Sequence, residues 1–133
     1  MEMEIFFPGG KRVDARWKGF TIQTDQSVKG GGEASAPAPF DLFLASIGTC
    51  AGIYVLLFCE HRNIPTDEIR LIQTFERNEE THMIETMDIE IRLPADFPEK
   101  YRKPLIRSAN LCAVKKHMEQ APTFTLRTTK PSD

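Results

Sequence analysis

The chain has 133 residues, 41% hydrophobic and 27% charged, with a formal net charge of −2. That is the size and make-up of one folded domain, residues 1–133, rather than of a disordered chain. Charges of both signs are scattered, which leaves neither a basic footprint for nucleic acid nor a polybasic run for a membrane surface, so neither is expected as a partner.

The N-terminal segment, Met1-Glu2-Met3-Glu4-Ile5-Phe6-Phe7-Pro8, is acidic and lacks the basic and apolar regions of a signal peptide. The expected location is the cytoplasm, a reducing compartment. Three cysteines, an odd number, do not make a disulfide scaffold there. They are buried thiols, metal ligands or redox groups.

Residues 3–7, 13–17 and 20–24 read as three short strands, with turns at Pro8-Gly9-Gly10 and Lys18-Gly19. A Gly/Ala/Pro-rich stretch, residues 28–39, follows as a flexible loop inside the domain, because the strands before it are too few to bury a core alone. Pro39 and Asp41 suit the first turn of a long helix ending near His61 or Arg62, with Asn63 and Pro65 as stops. Residues 42–59 carry no charge. A membrane span is set aside because Ser46, Gly48, Thr49 and Gly52 dilute the run and no Lys/Arg cluster flanks it. Residues 68–75 and 84–93 follow as strands, the second with Met87, Ile89, Ile91 and Leu93 on one face. A second helix is expected from Glu99 to about Gln120, with Leu105, Ala109, Cys112 and Lys116 along one side, and a last strand at 124–128. The order βββ-α-ββ-α-β defines an α+β fold.

Cys50 lies mid-helix among small residues, sharing a face with Ser46, Thr49 and Ile53. Taken alone, it reads as a small hydrophobe in a packed helix. Cys59, nine residues on at about 100° each, points to the opposite side and reads as a structural thiol. Cys59-Glu60-His61 has no second ligand pair at a suitable spacing, so no metal is expected. Gly30-Gly31-Gly32 lacks the Gly-Lys-Ser/Thr ending of a phosphate loop, and no other cofactor is expected. His61, His82 and His117 stand apart in polar contexts. Cys112 is on the inner stripe of the second helix, and packing of the two helices allows contact with Cys50.

The segment Ala38-Pro39-Phe40-Asp41-Leu42-Phe43-Leu44-Ala45-Ser46-Ile47-Gly48-Thr49-Cys50 resembles the OsmC/Ohr family pattern of proline, a Glu-like residue, Leu, small residues and cysteine. Asn110-Leu111-Cys112-Ala113-Val114-Lys115-Lys116 is similar to its second cysteine segment, and the order of elements matches over nearly the whole chain. The resemblance implies an intimate, swapped-looking homodimer with its long helices at the centre and sites at the chain–chain interface. It implies a thiol peroxidase: Cys50 attacks a hydroperoxide, Cys112 resolves the sulfenic acid as a disulfide, and a dithiol reductant restores both. It also implies an activating arginine from the N-terminal strands, matched best by Arg16 and next by Arg12, held by a glutamate near the helix start. Phe40 occupies that glutamate slot, and Asp41 stands one residue along.

Two other classes compete. One is a non-catalytic relative that binds or senses a small ligand in the dimer groove. The other is a purely structural dimer, which explains the small-residue helix and not the second cysteine.

Overall fold

In the computed structural model, which describes residues 1–132, the chain divides into two compact units, one of residues 1–46 and one beginning at Ile47.

The first unit opens with three antiparallel strands in the order β1-β2-β3: β1 (Glu4–Gly9), β2 (Arg12–Trp17) and β3 (Phe20–Ile22). Lys18 and Gly19 both take positive φ, 49° and 83°, between the paired Trp17 and Phe20. That is the primed turn whose twist matches two adjoining strands. The register puts Glu4 opposite Arg16 and Phe6 opposite Asp14. Alternation therefore sends Ile5, Phe7, Ala15, Trp17, Phe20 and Ile22 to the other face. Much of that face is exposed among the described residues: Ile5 is 54% exposed, Phe20 70% and Phe7 81%.

The glycine-rich segment expected as a flexible loop is a closed, hydrogen-bonded wrap around one carboxylate. Buried Asp25 accepts from the Ser35 hydroxyl, from Ser35 N–H at 3.0 Å and from Gln26 N–H at 2.7 Å. These donors lower its pKa to about 2, the Ser35 hydroxyl first among them. The Gly32 N–H donates to Ser27 O at 2.9 Å, and a Cβ on Gly32 would run into the Gln26 carbonyl oxygen. Only glycine lets the chain pass so close.

The long helix α1 (Pro39–Glu60) runs on from the first unit into the second. The Asp41 carboxylate accepts from the Ala38 N–H at 3.1 Å, closing the start of the helix. At the far end Asn63 (φ 54°) terminates it, with Asn63 N–H on Glu60 O at 3.2 Å and Ile64 N–H on Cys59 O at 2.9 Å. That is the Schellman arrangement, and it places Ile64 against the core. By length and composition α1 would cross a membrane, yet its buried stripe of Ile47, Ala51, Val55, Phe58 and Cys59 is that of a core helix with one covered side.

In the second unit β4 (Arg70–Arg77) pairs antiparallel with β5 (Ile84–Arg92). The Asn78 side chain ties their turn by accepting from the N–H groups of Glu80 and Thr81, both at 2.9 Å. Val55, Phe58, Cys59, Ile69, Phe97 and Leu105 form the core, flanked by Leu71 and Ile91 from the sheet and by Leu93 just past its end. Arg62 lies 3.6 Å above the Phe58 ring and donates to Phe58 O, so its charge closes one end of that core.

Two further expectations need correction. The second helix is not continuous: a 3₁₀ turn (Glu99–Tyr101) leads into α2 (Arg102–Ala109), the backbone turns, and α3 (Ala113–Glu119) begins anew. Asn110 caps α2, and Cys112 adopts an extended ψ of 124°, which no helix interior accepts. The strand expected at 124–128 is also absent. Phe124 is 84% exposed and Leu126 102%, so this segment lies against neither a sheet edge nor a core.

Candidate active site

The break between α2 and α3 makes the site. Cys112 becomes the N-cap of α3, where its sulfur accepts from the Lys115 N–H at 3.5 Å. Cys50, within a turn of Ile47 where the buried stripe of α1 begins, is half-buried, whereas Cys112 is only 2% exposed. The Cys112 thiol stands near enough to Cys50 for each to act on the other's titration, and all three cysteines are free thiols.

Their electrostatics are opposite. The Cys50 pKa is lowered, first by the backbone N–H of Val114, then by the Cys112 thiol, with Ala113 N–H adding to both against the cost of burial. The Cys112 pKa is raised, first by burial and then by its bond and proximity to Cys50. One sulfur is thus held toward thiolate and its neighbour toward thiol, the pairing a nucleophile and a proton-bearing partner require. Besides the Cys112 thiol, what favours the Cys50 thiolate is the pair of backbone amides at the start of α3 and not a cation. The sequence hid this, because Leu105, Ala109, Cys112 and Lys116 fit one uninterrupted helix and cysteine is not an ordinary cap residue.

Cys59 stands apart. It is wholly buried in the core, and burial raises its pKa. That is the structural thiol its place half a turn from Cys50 implied.

The two candidate arginines are both paired within the first unit. Arg16 donates to Glu4 Oε1 at 2.7 Å and stacks 3.8 Å above the Phe6 ring. A carboxylate therefore does hold Arg16, from β1 instead of from the helix start. With side chains 56% and 65% exposed, that pair is worth about 0–1 kcal/mol. Arg12 donates to buried Asp14 at 2.6 Å, and its Nε is buried with no hydrogen-bond partner. Phe40, in the glutamate slot, rests on Phe43 with ring centroids 5.5 Å apart.

Beside Cys112 lies a cavity of about 240 Å³. Ile47 and Ala51 of α1, Ile89 and Ile91 of β5, and Leu105 of α2 give it apolar walls; Arg102, Asn110 and Lys115 bring polar ends. Among the described residues no cluster of three or more His, Cys, Asp or Glu side chains forms a metal site.

A small α+β unit with a thiol pair between a long helix and a broken second helix is a recognisable class. Residues 30–127 match the family described as OsmC-like protein, and the chain belongs to that family. Its fold is that of a protein from Psychrobacter arcticus 273-4 described as an osmotic stress induced and detoxification response protein, with a TM-score of 0.71, 21% identity, and 86% of this chain and 85% of that one covered. An OsmC like protein from Mycoplasma pneumoniae is similar too (TM-score 0.69, 13% identity, 90% and 87% covered). So is an organic hydroperoxide resistance protein OsmC from Legionella pneumophila (TM-score 0.53, 13% identity, 88% and 87% covered). At these identities the likeness is one of fold. No curated protein matches the chain in sequence.

Proposed function

We propose that the chain is a cysteine-based peroxidase that reduces organic or related hydroperoxides. The observation that carries this reading is the juxtaposition of the Cys50 and Cys112 thiols at the break between α2 and α3, with one sulfur favoured as thiolate and the other as thiol. The Cys50 thiolate attacks the O–O bond of ROOH, forming Cys50–SOH and releasing RO⁻, which takes a proton. The Cys112 thiol then condenses with the sulfenic acid, forming the Cys50–Cys112 disulfide and releasing water. Two electrons from a dithiol return both sulfurs to thiols. Arg16 is the cation expected to assist this step. Turnover of cumene hydroperoxide with a dithiol reductant, lost in Cys50→Ser, tests the reading.

The working unit is a homodimer in this account. Cys50 shares its face of α1 with Ile53, 45% exposed, and Leu57, 41% exposed, and the apolar face of β1–β3 is bare as well. So much uncovered apolar surface calls for a second copy. A protein without turnover that binds a small apolar ligand is the second reading, supported by the cavity beside Cys112 and by Phe40 in the glutamate slot. Ligand-dependent stabilisation with no peroxide consumption would favour it.

A further inference from the structure

Lys115 ties down the first turn of α3 in two ways. Its backbone N–H donates to Cys112 Sγ at 3.5 Å, and its Nζ reaches back across the break to donate to Asn110 Oδ1 at 2.9 Å. Asn110 is the C-cap of α2 and Cys112 the N-cap of α3, so this clasp spans the whole turn between the helices. On an unbroken helix two residues five apart would stand about 140° from each other, so the break is what lets them meet. Little else holds α3. It is seven residues long and, among the described residues, buries no side chain. A helix that short is not stable alone in water, so its placement depends on the ties at its start. Glu119 adds little, since it is 3.8 Å from Lys115 Nζ in an exposed pair. The same turn carries the Ala113 and Val114 N–H groups that favour the Cys50 thiolate. What acts on Cys50 is these amides and the Cys112 thiol, not the Lys115 charge.

We propose that Asn110 and Lys115 are positioning residues, whose clasp across the α2–α3 break holds the Ala113 and Val114 N–H groups toward Cys50. The inference rests on the peroxidase reading, which gives an activated Cys50 its purpose. Neither side chain acts on the sulfur itself. With the clasp closed, the start of α3 is fixed and its amides stay directed at Cys50. With the clasp open, α3 is tied only through its backbone and the cap, its amides spend less time near the sulfur, and Cys50 reverts toward an ordinary thiol.

The test follows alkylation of Cys50 by iodoacetamide against pH in the reduced full-length protein, with peptide mapping to separate the three cysteines. Lys115→Met keeps a side chain of similar length and loses the donor, and Asn110→Ala loses the acceptor. Each should move the Cys50 midpoint to higher pH and slow its alkylation at neutral pH roughly three- to fivefold, the worth of one such hydrogen bond. The double variant should go no further than either alone, because both changes remove the same contact. Lys115→Arg, which keeps a donor, should restore most of the rate. Lys116→Met takes the same charge from the same helix without touching the clasp, and should behave as the wild type. An unmoved midpoint in Lys115→Met, a rate raised at every pH because Cys50 is merely bared, or an equal effect of Lys116→Met overturns the proposal. Peroxide consumption is read separately: a wild type that consumes no cumene hydroperoxide overturns the peroxidase reading, while the clasp still stands or falls on the alkylation profiles.

Discussion

Replacing Cys112 by alanine removes the thiol that donates to Cys50 and leaves the Val114 and Ala113 N–H groups in place. Hydrogen bonds to charged groups are worth about 1.5–3 kcal/mol, and a thiol, a weak donor, belongs at the bottom of that range. With 1.4 kcal/mol equal to a factor of ten, the thiolate fraction of Cys50 at neutral pH should fall about tenfold. Because the donor lowers the Cys50 pKa, its loss moves the titration to higher pH. The assay is the rate of Cys50 alkylation by iodoacetamide from pH 5 to 10. Cys112→Ser serves as the control, since it keeps an O–H donor at the same 2% exposed position and should restore most of the rate. If alanine and serine behave alike, Cys112 affects Cys50 by packing only. If neither changes the profile, the thiol–thiol bond has no part in activating Cys50.

Leu105, 1% exposed at the junction of core and cavity, should cost about 2–5 kcal/mol as Leu105→Ala in urea unfolding, with Ile106→Ala (55% exposed) as the mild control; equal losses would contradict the core assignment. Asp25 has its pKa lowered to about 2 from 3.8, so its contribution to stability is complete above pH 3.8 and disappears as pH falls through 2. Asp25→Asn should therefore flatten the acid limb of the stability profile between those values, and an unchanged limb would refute this. Leu57→Lys places a charge on the uncovered side of α1 and should shift sedimentation from dimer to monomer; a wild-type chain that sediments as a folded monomer at micromolar concentration would dismiss the dimer. Arg16→Ala should slow both Cys50 alkylation and peroxide consumption, and two unchanged rates would remove Arg16 from the site.

Much of the fold was legible because its signals are local. Period-two alternation placed β5 to within a residue, and Pro39, Asp41 and Asn63 bracketed α1 correctly. The failures at the second helix and at 124–128 concern forces that periodicity does not carry. A helical pattern says which residues would share a face if the helix continued, and it is silent on a cysteine that caps a new helix. Alternation at 124–128 shows that a segment is suited to pairing, yet a strand exists only where another edge accepts it. For the site, the residues were legible and their activation was not. Backbone N–H groups have no letter in the sequence, so the donors to Cys50 emerged only once α3 was seen to begin at Ala113. The carboxylate on Arg16 was missed for a related reason: Glu4 reaches it through strand register, not through a motif.

The most direct test of the central claim is the fate of the three sulfurs after one equivalent of cumene hydroperoxide is added to the reduced protein. Rapid alkylation followed by peptide mapping reads each cysteine separately. The account predicts a Cys50–Cys112 disulfide within one chain and an unmodified Cys59 thiol, with a trappable sulfenic acid on Cys50 in Cys112→Ser. A main disulfide that contains Cys59, or a Cys50 that remains a thiol while peroxide is consumed, would contradict it.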